Sequence, residues 1–410
     1  MRIVVHDYGG HPGEVYMSRE LARRGHEVLH LYFGSNETPH GALVKKPDDP
    51  PTFQVEGIFL TKPFRKHTYV RRLLQEVGYG KLLVDRIAKF EPDVVLCGNT
   101  PMLPQARLQR KCRQWGAGFV FWVMDVYGLA VKAGLRGKLP VIGNIVGEYF
   151  IRLERKLMRQ SDRIVLISEG FGPTIENWRV PQDKVEIVPL WPPLDELPVH
   201  PKENEWSRKN GFDRTMNLIY SGTLGTKHNP ETLAVLAEKF RHRDDVRVIV
   251  ISEGAGARYL QGRKAKSGLD NLVLMPFQPY NELPQVFGAA DVLLVLLEAA
   301  AGEFSVPGKV LSHFCAQRPQ VAAVPMVNRA AKVIQESGGG FAIPVGDDLK
   351  FVDAVQQLVG DDTLRHEMGR RARQYADTAF DIRKIGQRFD EILEAACRNV
   401  RSGKRRRRQD

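Results

Sequence analysis

A glycine-rich turn with a histidine, GGHPG at 9–13, separates an apolar run from an amphipathic pattern. Glycine lets a phosphate approach backbone N–H groups, and the N-terminus of the following helix carries partial positive charge. We therefore expect the amides of Gly9 and Gly10 to face an anionic ligand, with His11 beside them. The spacing is not G-x-G-x-x-G, so it does not indicate a dinucleotide site, and a plain tight turn is the alternative interpretation.

A second segment, SGTLGTKHNP at 221–230, repeats the arrangement of an apolar run, a glycine turn and the start of a helix. Lys227 adds a positive charge beside the amides of Gly222 and Gly225, which favours an anion site over a purely structural turn. Gly254, in the GAG sequence after the next apolar run, marks a third turn of the same kind. These residues predict a phosphate-binding site in the second half of the chain.

The segment EAAAGEFSVPGKVLSHFCAQRP at 298–319 joins a buried apolar run to a helix that starts near Gly308 and Lys309. The proline before Gly308 is favoured at a helix start, and Lys309 places a charge at the helix N-terminus, where anions bind. The segment is not a Walker A loop. Five residues separate Gly302 from Gly308, and Val310 stands where that motif requires serine or threonine.

Asp125 ends the apolar run in the sequence FWVMDVY at 121–127. In open α/β sheets, ligands bind beyond the carboxyl ends of the strands. Asp125 is therefore a candidate for a base or for a ligand of a substrate hydroxyl. The alternative interpretation is an aspartate that caps the next helix.

Short apolar runs alternate with helical patterns along the chain, which predicts parallel β-α-β units and places the turns described above at the carboxyl ends of strands. Prolines and polar residues interrupt the alternation at 189–213, after which it restarts. We therefore predict an α/β protein with two Rossmann-like domains. The predicted boundaries are 1–197 for the first domain, 198–214 for a linker, 215–378 for the second domain, 379–400 for a last helix and 401–410 for a basic, disordered tail.

Among the 410 residues, 60 Lys and Arg outnumber 48 Asp and Glu, giving a formal net charge of +12 that indicates an anionic partner. The stretch 62–72 carries five basic residues, and the helical pattern at 139–160 sets an apolar face against a basic one. This helix either lies in the interface of an anionic membrane or packs on a sheet with a solvated basic face. The pattern of a module that reads nucleic acid is lacking, so no nucleic-acid partner is expected.

The four cysteines are widely spaced and form no C-x-x-C, which indicates neither a disulfide framework nor a zinc site. The first residues do not form a signal-peptide pattern, and no apolar run reaches the ~18 residues that a transmembrane helix needs. We expect a cytoplasmic protein that is peripheral on the inner face of the plasma membrane, with no metal cofactor.

Taken in order, these segments resemble the family 4 glycosyltransferases of the GT-B fold, and especially bacterial members that build exopolysaccharide, capsule or O-antigen repeats. The matching segments are the glycine loop and helix ending RRGHEV at 8–28, SDRIVLIS at 161–168, the loop at 221–230, AAD at 289–291, VPGK at 306–309, QRP at 317–319 and PVGD at 344–347.

The resemblance implies two facing Rossmann-like domains, with the last helix crossing back to the first domain. It implies a nucleotide-sugar donor, UDP- or GDP-linked, on the second domain and an acceptor on the first, with the anomeric configuration retained. The acceptor expected is a polyprenyl-linked saccharide. His11 and Asp125 become candidate catalytic residues on the sugar and acceptor side. The residues expected to bind the donor diphosphate are Lys309, Lys227, Gly9, Gly10, Gly222, Gly225 and Gly308. The residues expected to bind the donor sugar and nucleotide are Glu303, Phe304, Ser305, Val306, Ser312 and Gly254.

The sequence departs from the family pattern at several of these positions. Many members have two glutamates separated by seven residues, the second of which holds the ribose, but Phe304 and Ser312 stand there. Glu303 lies next to the first position. Thr223 stands where many members have an arginine that binds diphosphate, and Gly308 replaces serine or threonine.

Two other functions remain open from the sequence. A nucleotide-sugar epimerase can share this two-domain fold. The departures described above also suit a non-catalytic partner subunit that kept the fold and lost donor contacts.

Overall fold

The computed structural model describes residues 1–35, 43–65, 68–136, 140–225, 228–297 and 308–406. The chain divides into two compact units. The first consists of Met1–Pro189 and the segment from Ile382 onward, and the second of Leu190–Asp381.

The first unit is built on a parallel sheet that has seven strands within the described residues. These are β1 Arg2–Asp7, β2 Glu27–Phe33, β3 Phe53–Ile58, β4 Val94–Gly98, β5 Gly118–Val123, β6 Arg163–Leu166 and β7 Val185–Ile187. The order across the sheet is β3-β2-β1-β4-β5-β6-β7. The inner strands are nearly continuous apolar runs, as expected for a parallel sheet covered by helices on both faces.

Helices connect these strands. They are α1 Pro12–Arg23, α2 Tyr69–Phe90, α3 Met102–Trp115, α4 Tyr127–Arg136, α5 Pro140–Gln160 and α6 Gly172–Asn177. Helix α3 packs against both α2 and α5, and α4 packs along α5. The predicted helix at 139–160 is therefore confirmed to within one residue.

The second unit repeats the architecture, with a parallel sheet of six strands in the described residues. Its elements are α7 Glu205–Asn210, β8 Met216–Ser221, α8 Glu231–Lys239, β9 Val246–Ile251, α9 Ala255–Ser267, β10 Leu272–Met275, α10 Leu283–Gly288, β11 Val292–Leu296, α11 Gly308–Cys315, β12 Gln320–Ala323, α12 Arg329–Ser337, β13 Gly340–Ile343, α13 Asp348–Gly360 and α14 Asp362–Ala379. The strand order is β10-β9-β8-β11-β12-β13.

The last helix, α15 Ile382–Arg406, packs on the first unit against α1 and β5. Phe389 is fully buried there, with its ring centroid 5.0 Å from that of Trp122. Asp390 accepts hydrogen bonds from Arg24 and from His26 Nε2, the latter at 2.6 Å. The return of this helix was predicted, but it continues to Arg406, so 401–406 belong to a helix rather than to the predicted disordered tail.

The segment 198–214, predicted as a linker, lies within the second unit. Asn204 and Ser207 form a reciprocal capping box that starts α7. Trp206 is buried and donates its indole N–H to Gln278 Oε1 at 2.9 Å. The prolines of this segment stop regular structure, but its aromatic side chains are buried and fix it to the body of the unit.

Replacing Phe389 by alanine removes a buried ring from the contact between α15 and β5. We expect the free energy of unfolding of the first unit to fall by about 3–4 kcal/mol, the usual cost of such a cavity. Hydrogen exchange of the β5 amides in increasing urea measures this loss. Lys384→Ala, on the exposed side of α15, is the control and should change it by less than about 0.5 kcal/mol. Equal protection in the two variants would show that α15 does not stabilise the sheet.

Candidate functional site

The carboxyl edge of the first sheet has a switch point between β1 and β4, because the chain continues from these neighbours to opposite sides of the sheet. Asp7 ends β1, Asn99 directly follows β4, and Asn99 has a left-handed backbone with φ 51°. Asp7 accepts hydrogen bonds from the Gly9 amide at 3.1 Å, the His11 amide at 2.5 Å and Asn99 Nδ2 at 3.0 Å. The buried carboxylate of Asp7 thus organises this edge.

His11 forms an ion pair with Asp7 at this edge, with 3.1 Å between Nδ1 and Oδ2. The Asp7 charge raises the pKa of His11 to about 10, against the opposing effect of burial. Burial alone would raise the pKa of Asp7, but His11 holds it below its ordinary value. The imidazolium is therefore charged at neutral pH and donates hydrogen bonds. It is not a general base in this state.

Glu14, in the first turn of α1, is buried near the same pair, and burial raises its pKa to about 7. Asp7, His11 and Glu14 place one potential metal-ligand atom each within 4.8 Å of one another. A cation bound there would compete for the Asp7 carboxylate with the protonated His11 and with the N–H groups that already donate hydrogen bonds to Asp7. These three side chains therefore suit the ion pair between Asp7 and His11 better than they suit a bound metal ion.

The glycine turn at 9–13 has a different role from the one predicted. The amide of Gly9 donates to Asp7 Oδ1, and that of Gly10 donates to the Asp7 carbonyl at 3.4 Å. A Cβ at Gly9 would lie 1.9 Å from the His11 ring, so a larger residue there would displace the imidazole from its present position. The prediction that these two amides bind the diphosphate is corrected, because both are engaged inside the turn and hold Asp7 and His11 in place.

Asp125 lies exposed just after β5, and its charge contributes to raising the pKa of His11. The alternative prediction was that Asp125 caps the next helix, α4. At the start of that helix, however, the two carboxylate oxygens of Glu154 accept hydrogen bonds from the amides of Tyr127 and Gly128, at 3.0 and 2.7 Å. The structure thus brings Asp125 and His11 to one edge of the first sheet, as predicted from the strand ends.

The second sheet has its switch point between β8 and β11. Lys309, in the first turn of α11, donates to Tyr220 Oη at 2.9 Å and lies 4.2 Å from the centroid of that ring. A Cβ at Gly222, which has φ 127°, would lie 3.0 Å from Lys309 Nζ. Burial lowers the pKa of Lys309 to about 8. Within the described residues no carboxylate pairs with this ammonium, so an anion bound beside Gly222 would compensate its lost hydration.

The other two predicted glycine turns lie against this site. Gly256, in the first turn of α9, donates its amide to the Leu224 carbonyl at 3.0 Å, which brings the N-terminus of α9 and its N-cap Gly254 to the loop after β8. The Gly222 amide donates to the Ile251 carbonyl, and the Gly225 amide donates to His228 Nδ1, each at 3.0 Å. Those two amides hold the loop in shape, which corrects the prediction that they bind the diphosphate directly.

Several predicted donor residues lie outside the described residues. They are Lys227, Glu303, Phe304, Ser305 and Val306. Gly308 is the exposed first residue of α11, and Ser312 Oγ donates to the Gly308 carbonyl at 3.3 Å. Ser312 is thus engaged within its own helix one turn after Gly308.

Four residues at these sheet edges were not predicted from the sequence: Asp7, Asn99, Tyr220 and Glu154. The signal for Asp7 and Tyr220 was their place at the ends of apolar runs, next to the glycine turns. Asn99 follows a third such run. Only Glu154, which reaches α4 from the middle of α5, has no local sequence signal.

We expect Asp7→Asn to lower the pKa of His11 toward its ordinary value of about 6.5, because the charge that stabilises the imidazolium is removed. An NMR pH titration of the His11 ring protons measures this shift. The variant should also lose about 2 kcal/mol of unfolding free energy, since hydrogen bonds to a buried carboxylate are weakened.

Asp85→Asn, an exposed aspartate of α2, is the matched control and should leave both values unchanged. A His11 pKa that stays near 10 in Asp7→Asn would contradict the ion pair as its cause.

Two family profiles match this sequence. Residues 15–191 match the family described as glycosyl transferase 4-like domain, and residues 202–375 match glycosyl transferases group 1. The Escherichia coli (strain K12) protein WcaI, whose name assigns it to colanic acid biosynthesis as a glycosyl transferase, is 24% identical over 308 residues. That alignment covers 73% of this chain and 74% of WcaI.

Solved structures agree with the architecture. Anabaena HepE (Alr3699), solved in complex with UDP-glucose, is similar with a TM-score of 0.71 at 13% identity, over 96% of this chain and 99% of that one. WaaG, a glycosyltransferase involved in lipopolysaccharide biosynthesis, has a TM-score of 0.65 at 18% identity, over 95% and 99% of the two chains. The predicted fold class is confirmed. The strand–glycine turn–helix units at both switch points and the two profile matches identify the chain as a member of the group 1 (family 4) glycosyltransferases of the GT-B fold.

Proposed function

We propose that this glycosyltransferase moves a sugar from a nucleotide-sugar donor to a lipid-linked saccharide, with retention of the anomeric configuration, in the synthesis of a cell-surface polysaccharide. The observation that carries the donor half of this proposal is the half-buried side chain of Lys309, whose ammonium lies beside Gly222 and contacts Tyr220. The names of WcaI and WaaG support the polysaccharide half.

The donor diphosphate binds at Lys309 in this proposal. Negative charge grows on the diphosphate as the bond to the sugar breaks, and a desolvated cation already in place stabilises that charge without reorganisation. The N-termini of α9 and α11 add partial positive charge. Lys309 and these helix ends therefore take the role that a metal ion has in other transferases.

The donor is a UDP- or GDP-linked sugar. The solved complexes of HepE with UDP, with UDP and glucose, and with UDP-glucose support the uridine nucleotide. Both donors contain a nucleoside diphosphate, and in this proposal Lys309 binds the diphosphate rather than the base.

The acceptor binds to the first unit in this proposal. His11 offers a charged hydrogen-bond donor and Asp125 an acceptor at the same sheet edge. Tyr8, which follows β1 directly, stacks on Phe33 with 4.6 Å between the ring centroids. Its buried hydroxyl has no hydrogen-bond partner among the described residues. Aromatic faces and unpaired polar groups of this kind suit a saccharide.

A lipid-linked acceptor requires access to a membrane surface. None of the helices in the described ranges has the length and apolarity to cross a bilayer. Helix α5 exposes Ile142, Ile145 and Tyr149 in its first half and carries Arg152 and Lys156 further along. Because such a helix can lie at the interface of an anionic bilayer, we propose peripheral binding to the inner face of the plasma membrane.

The charge of Lys309 makes donor binding depend on pH. A bound diphosphate favours the ammonium form, so affinity is highest below the Lys309 pKa of about 8 and falls above it by up to about tenfold per pH unit. In Lys309→Arg the cation stays charged, and the affinity for UDP should stay level to about pH 10. Calorimetric titration with UDP at a series of pH values measures both curves.

Lys309→Ala should bind UDP at least about tenfold more weakly at pH 7, because a charge-assisted hydrogen bond to phosphate is lost. Lys239→Ala, an exposed lysine of α8, is the control and keeps the affinity of the unchanged protein. A flat pH curve for the unchanged protein, or equal affinities of the two alanine variants, would contradict the assignment of Lys309.

Sugar transfer itself is tested with UDP- and GDP-hexoses and a polyprenyl diphosphate-linked saccharide, followed by mass spectrometry of the lipid fraction. We expect the acceptor to gain one sugar from one donor, and NMR of the product to show the anomeric configuration of that donor. Lys309→Ala should lose this product.

Each other outcome overturns a stated part of the proposal. A new epimer from donor alone, without transfer, would identify an epimerase. Equal transfer to the free saccharide would overturn the lipid-linked acceptor, and an inverted product would overturn retention. Tight UDP binding without transfer to any acceptor would indicate a non-catalytic subunit.

A further inference from the structure

Tyr220 links the loop after β8 to the candidate diphosphate site. It is the residue before the last one of β8, and its side chain is fully buried. Strands β9 and β11 pair with β8 on either side, with Val250 and Leu294 opposite Tyr220. The backbone of Tyr220 is therefore fixed in the middle of the sheet, and its side chain starts from a rigid position.

The hydroxyl group of Tyr220 forms two hydrogen bonds, one as a donor and one as an acceptor. It donates its proton to the Thr223 carbonyl at 2.7 Å. It accepts a hydrogen bond from Lys309 Nζ at 2.9 Å. Because a hydroxyl has a single proton, the proton given to Thr223 leaves a lone pair of the oxygen for Lys309. The loop carbonyl thus orients the hydroxyl toward the ammonium group.

Two further contacts fix the ammonium of Lys309 at the same place. Its Nζ lies 4.2 Å from the centroid of the Tyr220 ring, within the range of a cation–π interaction. Gly222 leaves room for it, since a Cβ there would lie 3.0 Å from Nζ. The residues at 222–225 of this loop carry no charge of their own. The position of Lys309 therefore decides where positive charge meets the loop.

The hydrogen bonds of Lys309 are not all used by the protein. In the described part of the chain, Tyr220 Oη is its sole hydrogen-bond acceptor. An ammonium group has three N–H donors, so two remain for the oxygens of a ligand. The stem of a lysine is flexible, and without the hydroxyl only the face of the ring would hold its end.

We propose that Tyr220 is a positioning residue for the donor. Its hydroxyl holds the ammonium of Lys309 next to Gly222 and directs the two remaining N–H groups to oxygens of the diphosphate. Tyr220 acts through Lys309 and does not itself bind the ligand. This inference rests on the proposed function in taking a diphosphate as the ligand of Lys309.

The titratable groups around Lys309 make this role measurable through pH. Burial raises the pKa of Tyr220 above its ordinary value, so its hydroxyl keeps its proton in mildly alkaline solution. His313 lies one turn further along α11, where burial and, to a smaller extent, the charge of Lys309 lower its pKa to about 3. Between pH 7 and 9 both side chains are uncharged, whereas Lys309, with a pKa of about 8, loses its charge.

The variant Tyr220→Phe keeps the ring and removes only the hydroxyl. Since the ammonium loses a hydrogen-bond acceptor, we expect the pKa of Lys309 to fall by roughly one further unit. The ammonium form is the one that binds diphosphate. The affinity for UDP should therefore fall about fiftyfold between pH 7 and 9 in this variant, against about tenfold in the unchanged protein. Calorimetric titration of the full chain with UDP at pH 7, 8 and 9 measures both curves.

Tyr375→Phe is the matched control. It removes the hydroxyl of a half-buried tyrosine of α14, whose ring lies against Phe314 and Phe380. This variant should show the same fall in affinity as the unchanged protein, because UDP and the other titratable groups are the same in both. Thermal unfolding of each variant verifies that the protein is folded.

A double variant tests whether Tyr220 acts through the lysine. Lys309→Ala/Tyr220→Phe should bind UDP no more weakly than Lys309→Ala, since the hydroxyl has no ammonium left to hold. A residue that only stabilised the fold would weaken binding by the same factor at every pH and in the presence or absence of Lys309.

Two outcomes would overturn this inference alone. Equal falls in affinity between pH 7 and 9 for Tyr220→Phe and the unchanged protein would show that the hydroxyl does not stabilise the ammonium. Weaker binding by the double variant than by Lys309→Ala would give Tyr220 a role independent of the lysine. Equal binding by Lys309→Ala and the unchanged protein would instead overturn the proposed donor site, and this inference with it.

Discussion

The positions of both candidate sites are set by the carboxyl ends of the parallel strands. All pairings within each described sheet are parallel, so the carboxyl ends of the strands share one edge and the chain must turn there. At the switch points, β1 beside β4 and β8 beside β11, the connections diverge and leave room for a ligand. Two residues with shifted pKa values, His11 in one unit and Lys309 in the other, lie at these positions.

The carboxyl edges of the two sheets stabilise their desolvated charges in different ways. In the first unit, Asp7 and His11 neutralise each other, and the glycine turn provides the space and the amides that hold them. In the second unit, Lys309 is desolvated against Tyr220 without a carboxylate among the described residues, and its pKa falls for that reason. One edge is internally balanced, whereas the other is prepared for an anion from outside. This difference is why we assign the diphosphate to the second unit and hydrogen bonding of sugar hydroxyls to the first.

Much of the fold follows from the sequence because apolar runs and glycine turns are local signals. The alternation of apolar runs and helical patterns predicted two Rossmann-like domains, and each unit contains a parallel sheet. The strands β3, β7 and β13 are short or partly exposed, and their sequences lack the long apolar run that marks the inner strands. The prediction of a linker at 198–214 was wrong because its prolines were taken to indicate a segment between domains. The burial of Trp206, which fixes this segment to the second unit, is a tertiary contact that the local sequence does not reveal.

The sites were predictable to the extent that they lie next to strand ends. Lys309, His11 and Asp125 were chosen as candidates in this way, and their functional roles stay predictions. The roles of the glycine amides were not predictable, because the internal acceptors Asp7 and His228 become visible only in three dimensions.

Lys309 holds the donor diphosphate in our proposal, and a crystal structure of the full chain with UDP would show whether it does. We expect a diphosphate oxygen about 3 Å from Lys309 Nζ, with Tyr220 still in contact with the lysine. A diphosphate bound away from Lys309 and the Gly222 turn, with the ammonium still facing only Tyr220, would contradict it.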